Sequence, residues 1–295
     1  MRQTTRFRQL VEADEILILP GINDALTAKV AEQAGAKAVT CGGYAATAGL
    51  LGMPDTSQLG MAELAEHYAR IADAVDVPLF ADGDTGFGNF SNAARTVHAY
   101  ERAGVAGLFI EDQVFPKRCG HMTGKAVVPV EEMAAKLKAA LDARRDGDLV
   151  IMARTDALAV NGLDDALDRA RLYREIGADM IFVEAPRSVD DMGRICAEID
   201  APLLANNIEG GATPVLPAGE LEAMGYAVVT HPVACVYAVA AATRDLITTL
   251  LATGSTDAMR DRMLEFESFN ALVGLPELRR REVELAAFAG QRAAE

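Results

Sequence analysis

The 295-residue sequence has no tryptophan and only four cysteines, Cys41, Cys119, Cys196 and Cys235. The cysteines are widely spaced and form no CxxC pair, which fits free thiols in a reducing cytoplasm better than a disulfide framework. No run of residues approaches the roughly 20 apolar positions that a membrane span needs. The N-terminal residues include arginines but no apolar segment of the secretory kind. We therefore expect a cytoplasmic protein that has no membrane partner.

Basic residues are also scarce. Lysine and arginine number 28 against 43 aspartate and glutamate, which gives a formal net charge of −15. Nucleic acid and anionic lipid repel an acidic surface, so neither is expected as a partner. If the substrate is an anion, its site must supply local positive charge, from a metal ion or from a few arginines. The 51% apolar content is that of an ordinary soluble globular protein.

Several catalytic patterns are missing as well. No HxH or HExxH sequence supports a zinc hydrolase, and the GINDA that follows the first apolar run is not the GxGxxG of a Rossmann fold. All six lysines fall in predicted helices or in one long loop. None stands at the end of a predicted strand, which disfavours a Schiff-base aldolase.

Short apolar runs recur along the chain, and an amphipathic stretch follows each. The runs are rich in Ile, Val and Leu without alternation, as in parallel strands buried on both faces: 16–21, 38–43, 78–84, 107–113, 149–157, 180–186, 202–207 and 226–232. Glycines that could form left-handed helix caps precede several runs: Gly35, Gly104, Gly177 and Gly225. Eight strands alternating with helices predict an α/β fold, a (β/α)8 barrel over residues 1–254, rather than an open doubly wound sheet.

Two regions lie outside this repeat. Residues 114–128 form a long loop after the fourth strand, and loops of that length are usually functional or disordered. Residues 255–295 form a C-terminal helical extension that has apolar residues but little of its own to bury them against. We expect this extension to pack on a neighbouring subunit and not to be an independent domain.

Acidic side chains gather at the ends of the predicted strands, where the active site of a (β/α)8 barrel forms. Asp82 and Asp84, Glu111, and Glu184 come from three different strands. Crowded carboxylates repel one another unless they are neutralised, and Mg²⁺ or Mn²⁺ is the simplest partner for oxygen ligands without a histidine cluster. For a single acid, capping of a helix or pairing with an arginine is the better explanation. Four acids together favour a metal site.

Cationic side chains stand close to these acids. Arg154 ends the fifth strand, where it could be a structural ion-pair partner or a bidentate clamp for a substrate carboxylate. In the long loop, Cys119 has Lys117 and Arg118 before it and His121 after it. This electropositive setting predicts that the cysteine is accessible and has a lowered pKa, which would make it a usable proton donor or acceptor.

The sequence resembles the isocitrate lyase/phosphoenolpyruvate mutase superfamily. The similarity runs from about residue 5 to about residue 275, and it rests on KRCGH at 117–121, ADGDTGFGN at 81–89, IEDQ at 110–113, ARTDA at 153–157 and LLANNIEGG at 203–211. KRCGH combined with a DxD strand end is far more specific than either motif alone. At Gly42 the sequence departs from its relatives, which usually have a Ser or Thr that contacts the oxo-acid.

The resemblance implies a role for each candidate residue. Asp82 would bind Mg²⁺ directly, and three acids would hold it through water: Asp84, Glu111 and Glu184. A second group would bind the substrate: Gly43, Tyr44, Asp55, Arg154 and Asn206. The stretch 117–125 would be a gating loop with Cys119 as general acid/base, assisted by Lys117, Arg118 and His121. The resemblance also implies a homotetramer, a dimer of dimers that swaps its C-terminal helices.

The implied reaction is Mg²⁺-dependent cleavage of a carbon–carbon bond in a 2-hydroxy di- or tricarboxylate, of the methylisocitrate or dimethylmalate type. A second possibility is a phosphonomutase of the carboxyphosphonoenolpyruvate or phosphoenolpyruvate type. Decarboxylation or hydrolysis of an oxo-acid is the third. A binding protein on a catalytically dead barrel would have lost the acids or Cys119, and the sequence retains them.

Overall fold

The computed structural model of the chain describes residues 1–293, with side chains to residue 289. The last two residues of the predicted extension, 294 and 295, lie outside the described residues. The chain forms two compact units, residues 1–237 and the residues from 238 onward.

The first unit is a barrel of eight parallel strands. Strands β2 to β6 pair in sequence order, and β8 lies between β7 and β1. Single parallel bridges, Gly21 with Thr40 and Ile181 with Leu203, join the two groups. The predicted (β/α)8 barrel is confirmed, with all eight strands inside the predicted runs: β1 Leu17–Pro20, β2 Val39–Cys41, β3 Leu79–Asp82, β4 Gly107–Glu111, β5 Val150–Thr155, β6 Met180–Val183, β7 Leu204–Asn206 and β8 Val228–His231.

Helices connect the strands on the outside of the barrel. Side-chain oxygens of Asp24, Asn89 and Ser188 accept hydrogen bonds from the first turns of three of them, which caps those helices. The four predicted capping glycines all have positive φ, from 81° at Gly104 to 117° at Gly177. The helices are: α1 Gln3–Val11, α2 Ala25–Gln33, α3 Gly43–Leu51, α4 Met61–Ala74, α5 Phe90–Arg102, α6 Val130–Ala143, α7 Ala157–Asn161, α8 Leu163–Ile176, α9 Val189–Glu198 and α10 Ala218–Met224.

Apolar side chains fill the inside of the barrel beneath its mouth. Phe7 of α1 stacks on Phe80 with 5.3 Å between the ring centroids, and Phe80, Phe109 and Phe182 follow one another around the interior. These rings are buried together in one cluster. Because the interior is packed, polar groups at the carboxyl ends of the strands face a shallow space above it.

The second unit is helical, and helix α11, Ala234–Thr253, leads into it. A 3-10 helix, Asp257–Arg262, and helices α12, Phe266–Leu272, and α13, Leu275–Ala293, follow. Helix α11 is long and apolar enough to cross a membrane by length and composition, with a mean hydropathy of 1.4 and none of its most apolar window buried. The expectation that no such stretch exists was therefore wrong, because only Arg244 and Asp245 interrupt an alanine- and leucine-rich sequence.

Candidate active site

A cavity of about 70 Å³ lies at the carboxyl ends of the strands, above the phenylalanine rings of the barrel interior. Most of the residues predicted for the site line it: Gly43, Tyr44, Asp55, Asp82, Lys117, Cys119, Arg154, Glu184 and Asn206. Gly42 lines the same cavity. A Cβ atom at Gly42 would meet only Asp82 Oδ2, at 4.0 Å, so the cavity includes the space that a side chain would occupy there.

Asp82, the last residue of β3, is fixed by backbone groups. Its Oδ2 accepts a hydrogen bond from the Gly43 N–H at 2.7 Å, and its Oδ1 accepts one from the Asp84 N–H at 2.8 Å. Gly43 begins α3, so the carboxylate faces the positive end of a helix, which stabilises its charge. The Gly43 N–H that was predicted to bind the substrate is therefore engaged by Asp82 in this structure.

Lys117 reaches from the long loop into these acids. Its Nζ lies 2.7 Å from Asp84 Oδ1 and 2.9 Å from Asp55 Oδ2, and its side chain is 3% exposed. Burial lowers the pKa of Lys117, but the surrounding carboxylates outweigh burial and raise it well above its usual value. Lys117 is therefore a buried, charged ammonium group.

Asp84 is unusual in both backbone and charge. Its φ of 47° lies in the left-handed region, which is sparsely populated by residues other than glycine. Burial raises its pKa to about 7, although Lys117 acts in the opposite direction. The strand end thus holds a carboxyl group in an environment that disfavours its charge.

Arg154, at the end of β5, joins the remaining acids. Its guanidinium forms a two-pronged pair with Asp156, with Nε to Oδ2 at 2.9 Å and Nη2 to Oδ1 at 3.1 Å. The same group lies 3.2 Å from Glu111 Oε2 and 3.5 Å from Glu184 Oε1. The central guanidinium carbon, Cζ, lies 5.0 Å from the ring centroid of Phe182, which is within cation–π distance. The arginine is held on several sides and keeps one orientation.

Protein cations neutralise part of the predicted metal site. Lys117 pairs with Asp84, and Arg154 pairs with Glu111 and Glu184. Among residues 1–293, no three His, Cys, Asp or Glu side chains are arranged as a ready metal site. The four acids converge on the mouth of the barrel as predicted, but they do not form a preassembled metal site.

The chemistry of the donors nevertheless fits a hard dication. Burial raises the pKa of Glu111 well above its usual value, and within the described part of the chain its buried Oε1 has no hydrogen-bond partner. Buried carboxylates around the cavity outnumber the buried cations, which are Lys117, Lys125 and Arg154: Asp55, Asp82, Asp84, Glu111, Asp156 and Glu184. An excess of negative charge carried by oxygen atoms is what Mg²⁺ binds in proteins.

The thiol of Cys119 is half-buried and lines the cavity. Burial raises its pKa to about 11, and Glu184 adds to the rise, while a hydrogen bond from the backbone of His121 lowers it. The predicted lowered pKa was wrong, because burial of the thiol outweighs the groups that would lower its pKa, and Lys117 pairs with Asp55 and Asp84. At neutral pH this thiol carries its proton.

Two of the predicted catalytic residues do not line the cavity. Arg118 is exposed, and its Nη1 donates to the Thr123 carbonyl at 3.3 Å. His121 Nδ1 accepts from the Ala212 N–H at 3.0 Å, so a neutral ring carries its proton on Nε2, which lies 3.4 Å from Glu184 Oε1. Burial lowers the pKa of His121 and favours that neutral form. The cationic side chains that line the cavity are Lys117 and Arg154 instead.

The long loop is closed over the cavity. A Cβ atom at Gly120 would lie 1.9 Å from Glu184 Oε1 and 2.3 Å from Arg154 Nη2, so a larger residue would require this ion pair or the loop to move. Asn206 completes this side of the site, with its Nδ2 donating to Glu184 Oε2 at 3.2 Å. The closed loop covers the ion pairs and separates them from solvent.

Sequence reasoning assigned no individual role to four polar residues at or beside this site. Thr40 and Thr230 line the cavity, and the buried hydroxyl of Thr230 has no hydrogen-bond partner among the residues described. A hydroxyl residue inside a short apolar strand was the available signal. Asp156 and Lys125 hold Arg154 and the loop, and only the spatial arrangement reveals their roles.

Comparison with known proteins agrees with this geometry. The family model described as phosphoenolpyruvate phosphomutase matches residues 7–251. The 2,3-dimethylmalate lyase of Eubacterium barkeri is 45% identical over 284 residues, which cover 96% of this chain and 98% of that protein. The chloroplastic carboxyvinyl-carboxyphosphonate phosphorylmutase of Arabidopsis thaliana is also 45% identical, over 278 residues, covering 93% of this chain and 82% of that protein.

Solved structures show the same similarity. Oxaloacetate acetylhydrolase in complex with 3,3-difluorooxalacetate has a TM-score of 0.90 at 33% identity, and the match covers 97% of each chain. Phosphonopyruvate hydrolase in complex with oxalate and Mg²⁺ has a TM-score of 0.86 at 28% identity, with 96% of this chain and 99% of that chain covered. A family match over most of the chain, together with relatives at 45% identity, means that this enzyme belongs to the phosphoenolpyruvate phosphomutase family, within the isocitrate lyase/phosphoenolpyruvate mutase superfamily.

Proposed function

We propose that the chain is a Mg²⁺-dependent lyase that cleaves a carbon–carbon bond of a 2-hydroxy di- or tricarboxylate and yields an oxo-acid and a second carboxylic acid. The substrate would be of the dimethylmalate or methylisocitrate type. The observation that carries the proposal is the position of the Cys119 thiol, which the closed loop presents to a cavity lined by Lys117 and Arg154. Burial raises the pKa of this thiol and favours its protonated form. The similarity to 2,3-dimethylmalate lyase supports it.

Asp82, Asp84, Glu111 and Glu184 would hold the Mg²⁺, and Mn²⁺ is the alternative ion. When bound, the ion lowers the pKa of a substrate hydroxyl and stabilises the forming carbonyl oxygen. Phosphonopyruvate hydrolase, a structural neighbour, is known in complex with Mg²⁺ and oxalate, which supports a hard dication at this site.

The proposed step breaks the bond between C2 and C3 of the substrate. The C2 hydroxyl gives its proton to one of the carboxylates that line the cavity, a carbonyl forms at C2, and the electron pair of the broken bond moves to C3. The carboxylate on C3 spreads this charge, and Lys117 and Arg154 provide positive charge in the cavity. C3 then takes the proton of the Cys119 thiol, leaving a thiolate that keeps the hydrogen bond from the His121 backbone. The closed loop excludes water as a competing proton source.

A phosphonomutase is the second candidate, and the 45% identity to carboxyvinyl-carboxyphosphonate phosphorylmutase supports it. Such a transfer moves a phosphorus group and needs no proton at C3. Hydrolysis of an oxo-acid is a third candidate, in view of the likeness to oxaloacetate acetylhydrolase.

A substrate screen with a Cys119→Ser variant tests the proposal. The purified protein would be incubated with Mg²⁺ and 2-methylisocitrate, isocitrate, 2,3-dimethylmalate, oxaloacetate or phosphonopyruvate, and pyruvate or glyoxylate release measured. We expect cleavage of one of the first three compounds. Turnover should fall by about 10²- to 10⁴-fold in Cys119→Ser, which is the usual contribution of a general acid to the rate. The variant should still bind Mg²⁺ and oxalate. Activity confined to phosphonopyruvate, or undiminished in Cys119→Ser, would contradict a lyase.

We also propose a cytoplasmic homotetramer, a dimer of dimers that exchanges its C-terminal helices. Large apolar side chains are exposed in the helical unit, with Leu251 81%, Phe266 78% and Val283 70% exposed. Exposed apolar side chains that form a patch mark protein or membrane contacts. A neighbouring subunit would cover it and would also account for the apolar composition of α11.

A further inference from the structure

One lysine ties the closed loop to the floor of the active site. Lys125 Nζ donates to the Gly120 carbonyl at 2.5 Å and to Asp156 Oδ1 at 2.7 Å, and its side chain is 3% exposed. Gly120 is the residue that lies over Arg154 and Glu184. Lys125 therefore links the part of the loop above the ion pairs to a carboxylate beneath them.

Asp156 is a rigid anchor for this contact. It is completely buried, and its backbone N–H donates to Asp112 Oδ1 at 2.8 Å. The hydroxyl of Thr155 donates to the other Asp112 oxygen at 2.7 Å, which fixes the end of β5 from behind. Both oxygens of Asp156 are used by Arg154, and Oδ1 is shared with Lys125. The orientation of Arg154 and the closure of the loop thus depend on the same carboxylate.

The base of the loop is fixed independently of Lys125. Gln113 and Val127 pair as antiparallel neighbours, and the Val114 N–H donates to the Ala126 carbonyl at 2.8 Å. Lys117, through Asp55 and Asp84, and His121, through the Ala212 N–H, also hold the upper part of the loop. Loss of the Lys125 contacts would therefore loosen this part, which includes Cys119, without detaching the base.

We propose that Lys125 is a positioning residue that latches the loop shut through Asp156 and keeps Asp156 and Arg154 aligned for a substrate carboxylate. The effect on turnover rests on the proposed function, whereas the latch itself does not. When the loop opens, Lys125 returns to water and Asp156 is left with Arg154, which also pairs with Glu111 and Glu184. Closure then returns Lys125 to Asp156 and the Gly120 carbonyl within a buried network.

The test compares Lys125→Met with Lys125→Arg, and with Lys138→Met as a control at an exposed helical lysine. Iodoacetamide alkylation of each cysteine is followed by mass spectrometry of its peptide. We expect Cys119 to react at least about tenfold faster in Lys125→Met, since loss of one partner of a buried ion pair shifts an equilibrium by that much or more. Lys125→Arg should restore most of the protection, and Lys138→Met should match the wild type.

Two outcomes would overturn the latch. One is an unchanged Cys119 rate in Lys125→Met; the other is equally faster alkylation of the buried Cys41, which would indicate general unfolding. With the substrate found in the screen, we expect kcat of Lys125→Met to fall about tenfold or more, with a smaller rise in KM. Faster Cys119 alkylation without turnover of any substrate by the wild type would leave the latch standing and reject the proposed lyase.

Discussion

A buried histidine outside the cavity makes the stability of the protein depend on pH. His67 lies in α4, is 7% exposed, and donates from Nε2 to the Asn23 carbonyl at 2.8 Å. Burial lowers its pKa because it disfavours the charged ring, and the hydrogen bond to Asn23 offsets only part of this effect. The unfolded chain therefore binds more protons than the folded chain between the folded-state pKa and about 6.5.

We expect the free energy of unfolding to decrease as the pH falls through this window. His67 contributes its full stabilisation above the unfolded-state pKa of about 6.5 and progressively less as the pH falls toward its lowered folded-state pKa. A His67→Gln variant keeps a donor for Asn23 but does not titrate. Urea unfolding at pH 8 and pH 5 should show that the wild type loses its stability advantage over the variant at the lower pH. An equal advantage at both values would contradict this role for His67.

The sequence identified individual residues of the active site but not the directions in which their side chains point. The sequence placed Lys117, Arg118 and Cys119 in one electropositive loop, and all three stand in that loop. Their side chains nevertheless point in different directions, because Lys117 pairs with Asp55 and Asp84 whereas Arg118 is exposed to solvent. The pKa of Cys119 is therefore set by burial and by Glu184, two features that no spacing along the chain encodes.

The long loop approaches the active site most closely at Gly120. A Gly120→Ala substitution would place a methyl group 1.9 Å from Glu184 Oε1, and closure would then require the ion pair or the loop to move. We expect the variant to fold with wild-type stability but to lose about 10²-fold in turnover, the effect of a misplaced active-site element. Activity assays together with thermal unfolding check this expectation.

A matched control for that substitution is Gly193→Ala in α9, where a Cβ atom meets nothing within 4 Å. Alanine is a better helix former than glycine, so this variant should be at least as stable as the wild type and fully active. Equal activity of Gly120→Ala and Gly193→Ala would mean that the loop does not close as the structure has it.

Strands and their polar ends were predictable for a physical reason. Each strand is buried on both faces, so apolar runs such as those of β5 and β6 stand out, and an acid or arginine that ends a run must lie at the mouth of the barrel. The pairing among those ends was not predictable. Arg154 meets Asp156, Glu111 and Glu184 because of barrel register, and Lys125 reaches Asp156 across 31 positions of sequence.

At the scale of the whole molecule, charge is distributed unevenly. The net charge of −15 leaves most of the surface acidic, whereas Lys117, Lys125 and Arg154 are buried together beneath the loop. Carboxylates outnumber these cations around the cavity, so without a bound dication an anionic substrate meets an unfavourable field at the surface and in the site. Bound dications and loop opening would reduce this barrier, which fits a site that loads its ligand while open and reacts while closed.

The proposed tetramer can be tested by the mass of the protein in solution. Light scattering should give the wild type four times the 31.3 kDa mass of one chain. Leu251→Asp and Phe266→Asp place a charge where we expect a partner subunit to bury an apolar side chain worth about 1.5–3 kcal/mol, so each should weaken association by at least about tenfold and lower the mass. Val189→Asp, at an exposed valine on the barrel helix α9, serves as control and should leave the mass unchanged. A wild type that remains a single chain at micromolar concentration would contradict the assembly, and the exposed apolar residues of the helical unit would then need another partner.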